Sequence, residues 1–374
     1  MRSFAKVFCL SLLSVALLAG SAQARTVNGC KIKHHTSCHH KDLHGQDLHG
    51  AVLHHSVLHH INLRKANLRG ADLSYADLRE ADLRGADLRG ANLKGAKLHH
   101  YTAPKKKGAR TSATPACAPN CQGANLTGAN LTNANLTNAN LTNATLIAAT
   151  VKSANLTSAT LTGATLTGAN LTSANLTNAT LTNAGPACFP NCQGANLTSA
   201  NLTNANLTSA NLGIATLIGA NLTGAILNNA DLFGANLTGA NLTSANLSYA
   251  SMSSVTLIAA TLKNANLTNA WLRNATLTNA TLTGATLTGA NLILADLSYA
   301  GLTSAVLNGA RLNNADLTSA DLTGANLTSA TLAYATLTNA TLIGATLTNA
   351  NLEGATGCST VTPTGTLNSY GCAS

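Results

Sequence analysis

The side chains best suited to chemistry are the histidines, and all 12 of them lie between His34 and His100. Most are adjacent pairs. The eight that the pattern selects as metal ligands are His34, His35, His39, His40, His54, His55, His59 and His60. Imidazole nitrogens bind Zn²⁺, Ni²⁺ and Cu²⁺, so the segment contains a candidate site for such an ion. The alternative is a solvated basic segment whose charge changes with pH, because few carboxylates are placed to orient the rings.

Cysteine is the second reactive residue type. Cys9 belongs to the N-terminal apolar segment, and the other cysteines are an even set, which favours disulfides in an exported chain. These disulfide candidates are Cys30, Cys38, Cys117, Cys121, Cys188, Cys192, Cys358 and Cys372. The first two and the last two are expected to close the ends of the chain. The middle four form two C-x-P-N-C motifs, for which local disulfides, disulfides between the motifs and a four-thiolate zinc site all remain open.

The N-terminus predicts export. Arg2 and Lys6 precede an apolar stretch over residues 7–18, and residues 22–24 form a small-x-small cleavage site. This arrangement is typical of a secretory signal peptide, with cleavage expected after Ala24. The expected location is the bacterial periplasm or the outside of the cell. No later stretch is long and apolar enough to predict a membrane span.

An element with a five-residue period must position these groups. From Lys41 onward, Leu recurs at every fifth residue, usually with Ala two residues before it and Asn, Asp or Thr between them. Neither a helix nor a strand has this period, whereas a chain that turns after each unit and stacks on itself does. The runs Leu43–Leu98, Leu126–Leu181 and Leu197–Leu352 hold twelve, twelve and thirty-two units.

Units such as Ala71-Asp72-Leu73 and Ala124-Asn125-Leu126-Thr127-Gly128 resemble the pentapeptide-repeat family. The resemblance implies an all-β solenoid, a right-handed quadrilateral β-helix with four units per coil and with Leu and Ala pointing inward. About 14 coils with two Cys-containing loop insertions are then expected. Because every run length is a multiple of four, both loops are expected to leave the same corner.

The same coil length predicts that the histidine pairs form ladders. His34-His35 should stack under His54-His55, and His39-His40 under His59-His60.

The expected organisation has eight segments. They are a signal peptide (1–24), a Cys/His-rich cap (25–40), basic His-rich coils (41–100), a basic loop with C-x-P-N-C (101–123), Asn/Thr-rich coils (124–183), a second C-x-P-N-C loop (184–194), further Asn/Thr-rich coils (195–354) and a C-terminal cap with a Cys pair (355–374).

The formal net charge of +10 is concentrated before Thr111. Such a segment can attract an anionic surface. However, Arg79, Arg84 and Arg89 alternate with aspartates, which predicts a belt with internal ion pairs. Sequence-specific nucleic-acid binding is therefore not expected.

No nucleophile motif, phosphate loop or catalytic constellation is evident, so we expect a non-enzymatic protein without a required cofactor. The leading hypothesis is a structural scaffold or an interaction module for a protein or cell-envelope partner. The alternative is a His-rich protein that binds Zn, Ni or Cu. An ice-binding surface, suggested by Thr160-Leu161-Thr162 and Thr180-Leu181-Thr182, fits less well because the outer surface mixes Asn, Thr, Ala and Asp. A topoisomerase-inhibiting DNA mimic, a role that the family resemblance implies, also fits less well because acidic residues are scarce.

Overall fold

The computed structural model describes residues 25–98, 120–182, 192–364 and 367–370. These residues contain four β-strands and no helix: β1 (Arg25–Val27), β2 (Cys30–Ile32), β3 (Gly357–Val361) and β4 (Leu367–Tyr370). β1 pairs antiparallel with β2, and β3 with β4, so that a hairpin lies at each end. In this part of the chain, no helix could cross a membrane.

Between the hairpins, the chain is a stack of coils joined by parallel β-bridges. Bridge partners are usually 20 residues apart, as in Asp72 and Asn92, so four five-residue units complete one turn. The backbone N–H of most repeat leucines donates to the next coil, as from Leu43 to the Asn62 carbonyl at 2.8 Å. Nearly every backbone polar group at these positions is satisfied by the neighbouring coil.

The first and third positions of each unit point inward. Ala66 and Leu68 are both 0% exposed, and the pattern continues in the described coils from Ala51 to Ala345. Leu side chains fill the axis, and each contributes about 1.5–3 kcal/mol on burial. The small Ala lets the walls approach the axis closely. This core is the one that the resemblance implies.

The fifth position turns the corner with a positive φ. Gly45 has φ +64°, His55 +55° and Asn133 +57°. Glycine adopts this region freely, and Asn and His are enriched there among other residues. The corner therefore selects the residue types that the sequence repeats before each new Ala.

The side chain at the second position stabilises the turn that follows it. Asn125 Oδ1 accepts hydrogen bonds from Thr127 N at 3.2 Å and Thr127 Oγ1 at 2.8 Å. Equivalent bonds recur in many units, as at Asn221 with Thr223. Local side-chain-to-backbone bonds of this kind favour turns. They account for the repeated Asn-Leu-Thr sequence without any ligand or modification.

The two sequence interruptions preserve the stacking. Across the first, Asp82 bridges Asn120, and across the second, Asn170 bridges Asn196. Pro119 to Gly123 and Pro190 to Gly194 each match a repeat unit whose third position is Cys. The described part of each, from Asn120 and from Cys192, lies within the coils, so the chain rejoins them before residues 124 and 195. At each interruption, the chain therefore rejoins the coils one unit earlier than the sequence predicts.

The prediction that both interruptions leave the same corner is wrong. Lys97, beside the first break, lies in one column of bridges with Asn135, Asn155 and Asn175. The second break follows Thr180, one unit later. The two interruptions therefore leave from neighbouring corners, because the unit centred on Cys121 adds one unit to the run that separates them.

The predicted disulfides at Cys121 and Cys192 are also not present. Both residues are free thiols, each 2% exposed at the inward position usually held by Leu. Their side chains face the core of the solenoid. Cys117 and Cys188 lie outside the described residues.

The chain ends are closed as the sequence predicts where the structure describes them. Cys30 and Cys38 form a disulfide between β2 and the first coil. Cys358, in β3, is also disulfide-bonded, and its expected partner, Cys372, lies outside the described residues. Hairpins and disulfides at the ends protect a solenoid from pairing through its exposed edges.

Candidate functional site

The histidine pairs occupy the fourth and fifth positions of their units and stack between coils. Ring centroids are 5.2 Å apart for His34 and His54 and 5.2 Å for His35 and His55. The second ladder has distances of 5.1 Å for His39 and His59 and 4.7 Å for His40 and His60. The structure therefore brings together all eight histidines proposed from the sequence, as two ladders.

Each ladder contains one group whose ligand atoms converge. In cluster A (His34, His35 and His54), one nitrogen from each ring lies within 4.8 Å of the others. The same limit holds in cluster B, formed by His40, His59 and His60. Either set could hold a metal ion, because imidazole suits Zn²⁺, Ni²⁺ and Cu²⁺.

The two remaining ladder histidines have other contacts. The His55 ring stacks on Tyr75 with centroids 5.0 Å apart, and His39 Nδ1 lies 2.9 Å from Ser37 Oγ. His44 and His49 are exposed and belong to neither cluster. His99 and His100 lie outside the described residues.

Cluster A has a carboxylate beside it. His54 Nδ1 lies 3.4 Å from Asp72 Oδ2. The other oxygen of Asp72 accepts hydrogen bonds from Ser74 N at 3.1 Å and from Asn92 Nδ2 at 3.0 Å. Burial alone would raise the pKa of Asp72, but the bonds from Ser74 and the charge of His54 hold it below its usual value. Asp72 is therefore an ionised, fixed acceptor for His54.

Cluster B has an equivalent aspartate, Asp77, but this carboxylate is paired with an arginine. Arg79 Nε donates to Asp77 Oδ1 at 2.7 Å, and Arg79 Nη2 pairs with Asp77 Oδ2. Burial favours a raised pKa for Asp77, and these bonds with Arg79 reverse the direction. Bidentate arginine–carboxylate pairs are strong and directional, so Asp77 is already committed to Arg79.

Crowding of the rings lowers the pKa of two histidines. For His35, loss of hydration is the main cause, followed by the positive charges of His55, His34 and His54. Desolvation also lowers the pKa of His59, and His39 and its other neighbours add to this, although Asp77 acts in the opposite direction. Neutral imidazole is the form that binds metal.

The predicted Arg–Asp belt is present. Arg84 pairs with Asp82 and Arg89 with Asp87, two residues earlier in each unit. Hydrogen bonding from Arg89 lowers the pKa of Asp87. Much of the charge in these coils is therefore satisfied within the protein.

Sequence reasoning missed a second surface, which we name the aromatic face. Its members are Ile214, Phe233, Trp271, Arg273, Leu294, Arg311 and Tyr334. Successive bridges from Asn211 through Trp271 and Arg311 to Thr331 place their units in one column. Trp271 is 60% exposed and Tyr334 62%. The only signal in the sequence is a recurrence at multiples of 20 residues, which becomes visible once the coil length is known.

The aromatic face is unlike the other sides of the same coils. It holds the only tryptophan of the chain and both arginines that follow Arg110. The other exposed apolar residues of this part, such as Ile218, Ile226 and Tyr299, are distributed over the three remaining sides.

A family model for pentapeptide repeats matches residues 61–99, 120–157, 152–184, 191–229, 210–248, 225–264, 260–298, 295–332 and 320–356. These ranges cover more than half of the chain. The chain belongs to the pentapeptide-repeat family. The fold of this family, a right-handed quadrilateral β-helix, agrees with the bridges described above.

Among solved structures, the chain is similar to HetL, a pentapeptide-repeat protein involved in heterocyst differentiation regulation in the cyanobacterium Nostoc sp. strain PCC 7120. Identity is 32% over 66% of this chain and 92% of HetL, with a TM-score of 0.21. QnrB1, a plasmid-mediated fluoroquinolone resistance protein, is 16% identical over 68% of this chain and 89% of its own, with a TM-score of 0.31. Rfr23, from the cyanobacterium Cyanothece 51142, is 37% identical over 26% of this chain and 63% of its own, with a TM-score of 0.15.

No relative of this pentapeptide-repeat protein was found among the curated protein sequences. The family assignment therefore rests on the repeat model and on the periodic core.

Proposed function

We propose that this pentapeptide-repeat protein is an exported, non-enzymatic scaffold that binds a protein or cell-envelope partner through the aromatic face. The observation that carries the proposal is the exposure of Trp271, Phe233 and Tyr334 in one column beside Arg273 and Arg311. Tryptophan, tyrosine and arginine dominate the energetics of protein interfaces. Clustered exposed apolar residues mark such sites on soluble proteins.

The charges of the face define the partner more closely. In the described part of the chain, neither Arg273 nor Arg311 has an ion-pair partner, in contrast to Arg84 and Arg89. The aromatic face therefore fits a protein surface that presents carboxylates beside apolar side chains, since complementary charges steer and orient association.

Export is part of the proposal and is supported by the signal-peptide pattern before Arg25. The basic N-terminal coils would be a second point of attachment, to anionic groups of the envelope. The ice-binding alternative is weaker because the threonine ladder is short: Thr160 bridges Thr180, but the next partners are Asn140 and Asn206.

Site-specific cross-linking tests this proposal. A photo-reactive amino acid is placed at Trp271 and, as the matched control, at Thr281, which occupies the same position two units later, on the opposite side. Cells of the producing bacterium should give a discrete adduct at position 271 alone. The adduct should be in the exported fraction, and its mass should equal that of the partner plus that of a chain that begins at Arg25.

The adduct partner is then purified for a binding titration. Changing Trp271 and Arg273 to Ala should weaken binding by about 30-fold or more, the loss typical of an interface hot spot. Equal adducts at both positions, or unchanged affinity in the double variant, would refute the assignment of this face.

Metal binding is the second candidate function. The two clusters of converging histidine nitrogens favour it, and they lie at the opposite end of the described coils from the aromatic face. Both functions can therefore exist in one molecule, with the polar coils between them as a spacer.

A further inference from the structure

We infer that cluster A is a site for one divalent ion of the Zn²⁺, Ni²⁺ and Cu²⁺ class, oriented by Asp72, and that cluster B is not its equivalent. The inference rests on the second candidate function, metal binding, and assigns it to particular residues. It depends on the difference between the two aspartates that lie beside otherwise matched histidine ladders.

The backbone holds the ligands of cluster A on two adjacent coils. His35 N donates to the His54 carbonyl at 3.0 Å, and His55 N donates to the Ser74 carbonyl at 2.9 Å. The Cys30–Cys38 disulfide closes the chain around the first of these coils. The spacing of the histidines is thus fixed by the solenoid, and only the side chains must adjust to an ion.

The required adjustment is small. Metal–nitrogen bonds of ~2.0–2.1 Å in a tetrahedral site place the ligand nitrogens roughly 3.3 Å apart. The three nitrogens of cluster A already lie within 4.8 Å of one another. His34 and His35 are exposed and His54 is half-buried, so ring rotation can close the remaining distance without moving the backbone.

Asp72 supplies what a dedicated metal site requires. A ligating histidine usually donates its other N–H to a carboxylate, which fixes the ring and strengthens the ligand. Asp72 Oδ2 lies 3.4 Å from His54 Nδ1, which leaves His54 Nε2 for the ion. Asn92, one coil further on, holds the other carboxylate oxygen at 3.0 Å.

Cluster B lacks this support because of one residue. The fourth position of the unit, two residues after the aspartate, is Ser74 in the unit beside cluster A and Arg79 in the unit beside cluster B. Arg79 binds both oxygens of Asp77, and its guanidinium adds a positive charge near the ligands. A dication is therefore favoured at cluster A over cluster B.

An ion at cluster A would join the first coil to the second. His34 and His35 come from one coil and His54 from the next, so binding should reduce opening of the N-terminal end. A ligand that binds only the folded state stabilises that state.

The test is calorimetric titration of the mature chain, residues 25–374, with ZnCl₂ and NiCl₂. The wild type should bind one ion tightly. Changing His34 and His54 to Asn should abolish this event, whereas changing His40 and His60 to Asn should leave it unchanged. Circular dichroism of each variant confirms that the coils are retained.

Two further substitutions isolate the role of Asp72. D72N and S74R should each weaken the tight event by about 10- to 100-fold, the usual effect of losing an orienting carboxylate, and D77N should not. Hydrogen exchange of residues 25–60 should slow with Zn²⁺ in the wild type and in D77N, but not in the variant that lacks His34 and His54.

The outcomes separate the site assignment from metal binding itself. Loss of the tight binding event in the His40/His60 variant would overturn the assignment while leaving metal binding intact. Unweakened binding in D72N would have the same consequence. Absence of any stoichiometric binding by the wild type would overturn both, without affecting the proposal for the aromatic face.

Discussion

The coils before Leu98 and those after Cys192 have the same backbone and core but different surfaces. In both regions, Leu and Ala point inward and the fifth position has a positive φ. The first region exposes histidines and Arg–Asp pairs, whereas the second exposes Asn, Thr and the aromatic face. The comparison teaches that the inward positions determine the fold, while the outward positions can change their chemistry from coil to coil.

The largest expected effect concerns the shared core. Leu68→Ala and Leu267→Ala should each reduce the free energy of unfolding by about 2–5 kcal/mol, because both side chains are 0% exposed. Guanidinium unfolding measures the change, with Thr281→Ala as the surface control. A much smaller loss at Leu68 would show that the charged coils are not packed like the neutral ones.

Corner residues give a smaller effect that tests the backbone alone. At Gly70 and Gly239, φ is +63° and +65°, and an added Cβ would meet nothing within 4 Å. Changing either residue to Ala should therefore cost about 1–2 kcal/mol through the left-handed conformation. The same unfolding assay should give similar values in the two regions. A clear difference would mean that the corners are not equivalent.

The smallest expected effect distinguishes the regions by pH. The pKa values of His35 and His59 are lowered from 6.5 in the folded protein, so, as the pH falls, these residues are protonated in the unfolded chain before they are protonated in the folded one. Their contribution to the free energy of unfolding is therefore complete above pH 6.5 and is lost as the pH falls below that value. Asp72, Asp77 and Asp87 have pKa values lowered from 3.8, so their contribution is lost only in stronger acid. All five pKa shifts act in one direction: acid destabilises the N-terminal coils.

Hydrogen-exchange protection, measured with a chelator at pH 7.5 and pH 5, checks this difference. Protection should fall in residues 25–60 and stay constant in residues 192–356, where the sequence has no histidine. A variant with the eight ladder histidines changed to Asn serves as the control and should lose the pH response. An equal fall in both regions would contradict the prediction.

Much of this structure could be predicted from the five-residue period. Leu at every fifth residue, with Ala two residues before it, identifies the inward positions directly, and the coil length then places His34 beside His54. The period is interrupted where Pro and Cys replace Ala and Leu, so the sequence predicts loops at the units of Cys121 and Cys192. Their inward position depends on backbone pairing with Asn140 and Asn211, which the residue types do not indicate.

The aromatic face and the role of Asp72 could not be predicted in the same way. Trp271 and Tyr334 are more than 60 residues apart, and only the stacking of coils places them in one column. Asp72 and Asp77 look alike in sequence, and both precede Leu by one residue. The ion pair of Arg79 with Asp77 could be predicted, but the position of Asp72 beside His54 depends on how the coils stack.

The two buried thiols in the core, Cys121 and Cys192, have a consequence for the export proposed above. Burial raises the pKa of Cys121 and Cys192 to about 12, so these thiols stay protonated at neutral pH, whereas thiolate is the reactive form. Oxidants and disulfide-exchange enzymes would meet these residues only when a coil opens. The rate of their chemical modification would therefore measure how often the middle of the solenoid opens.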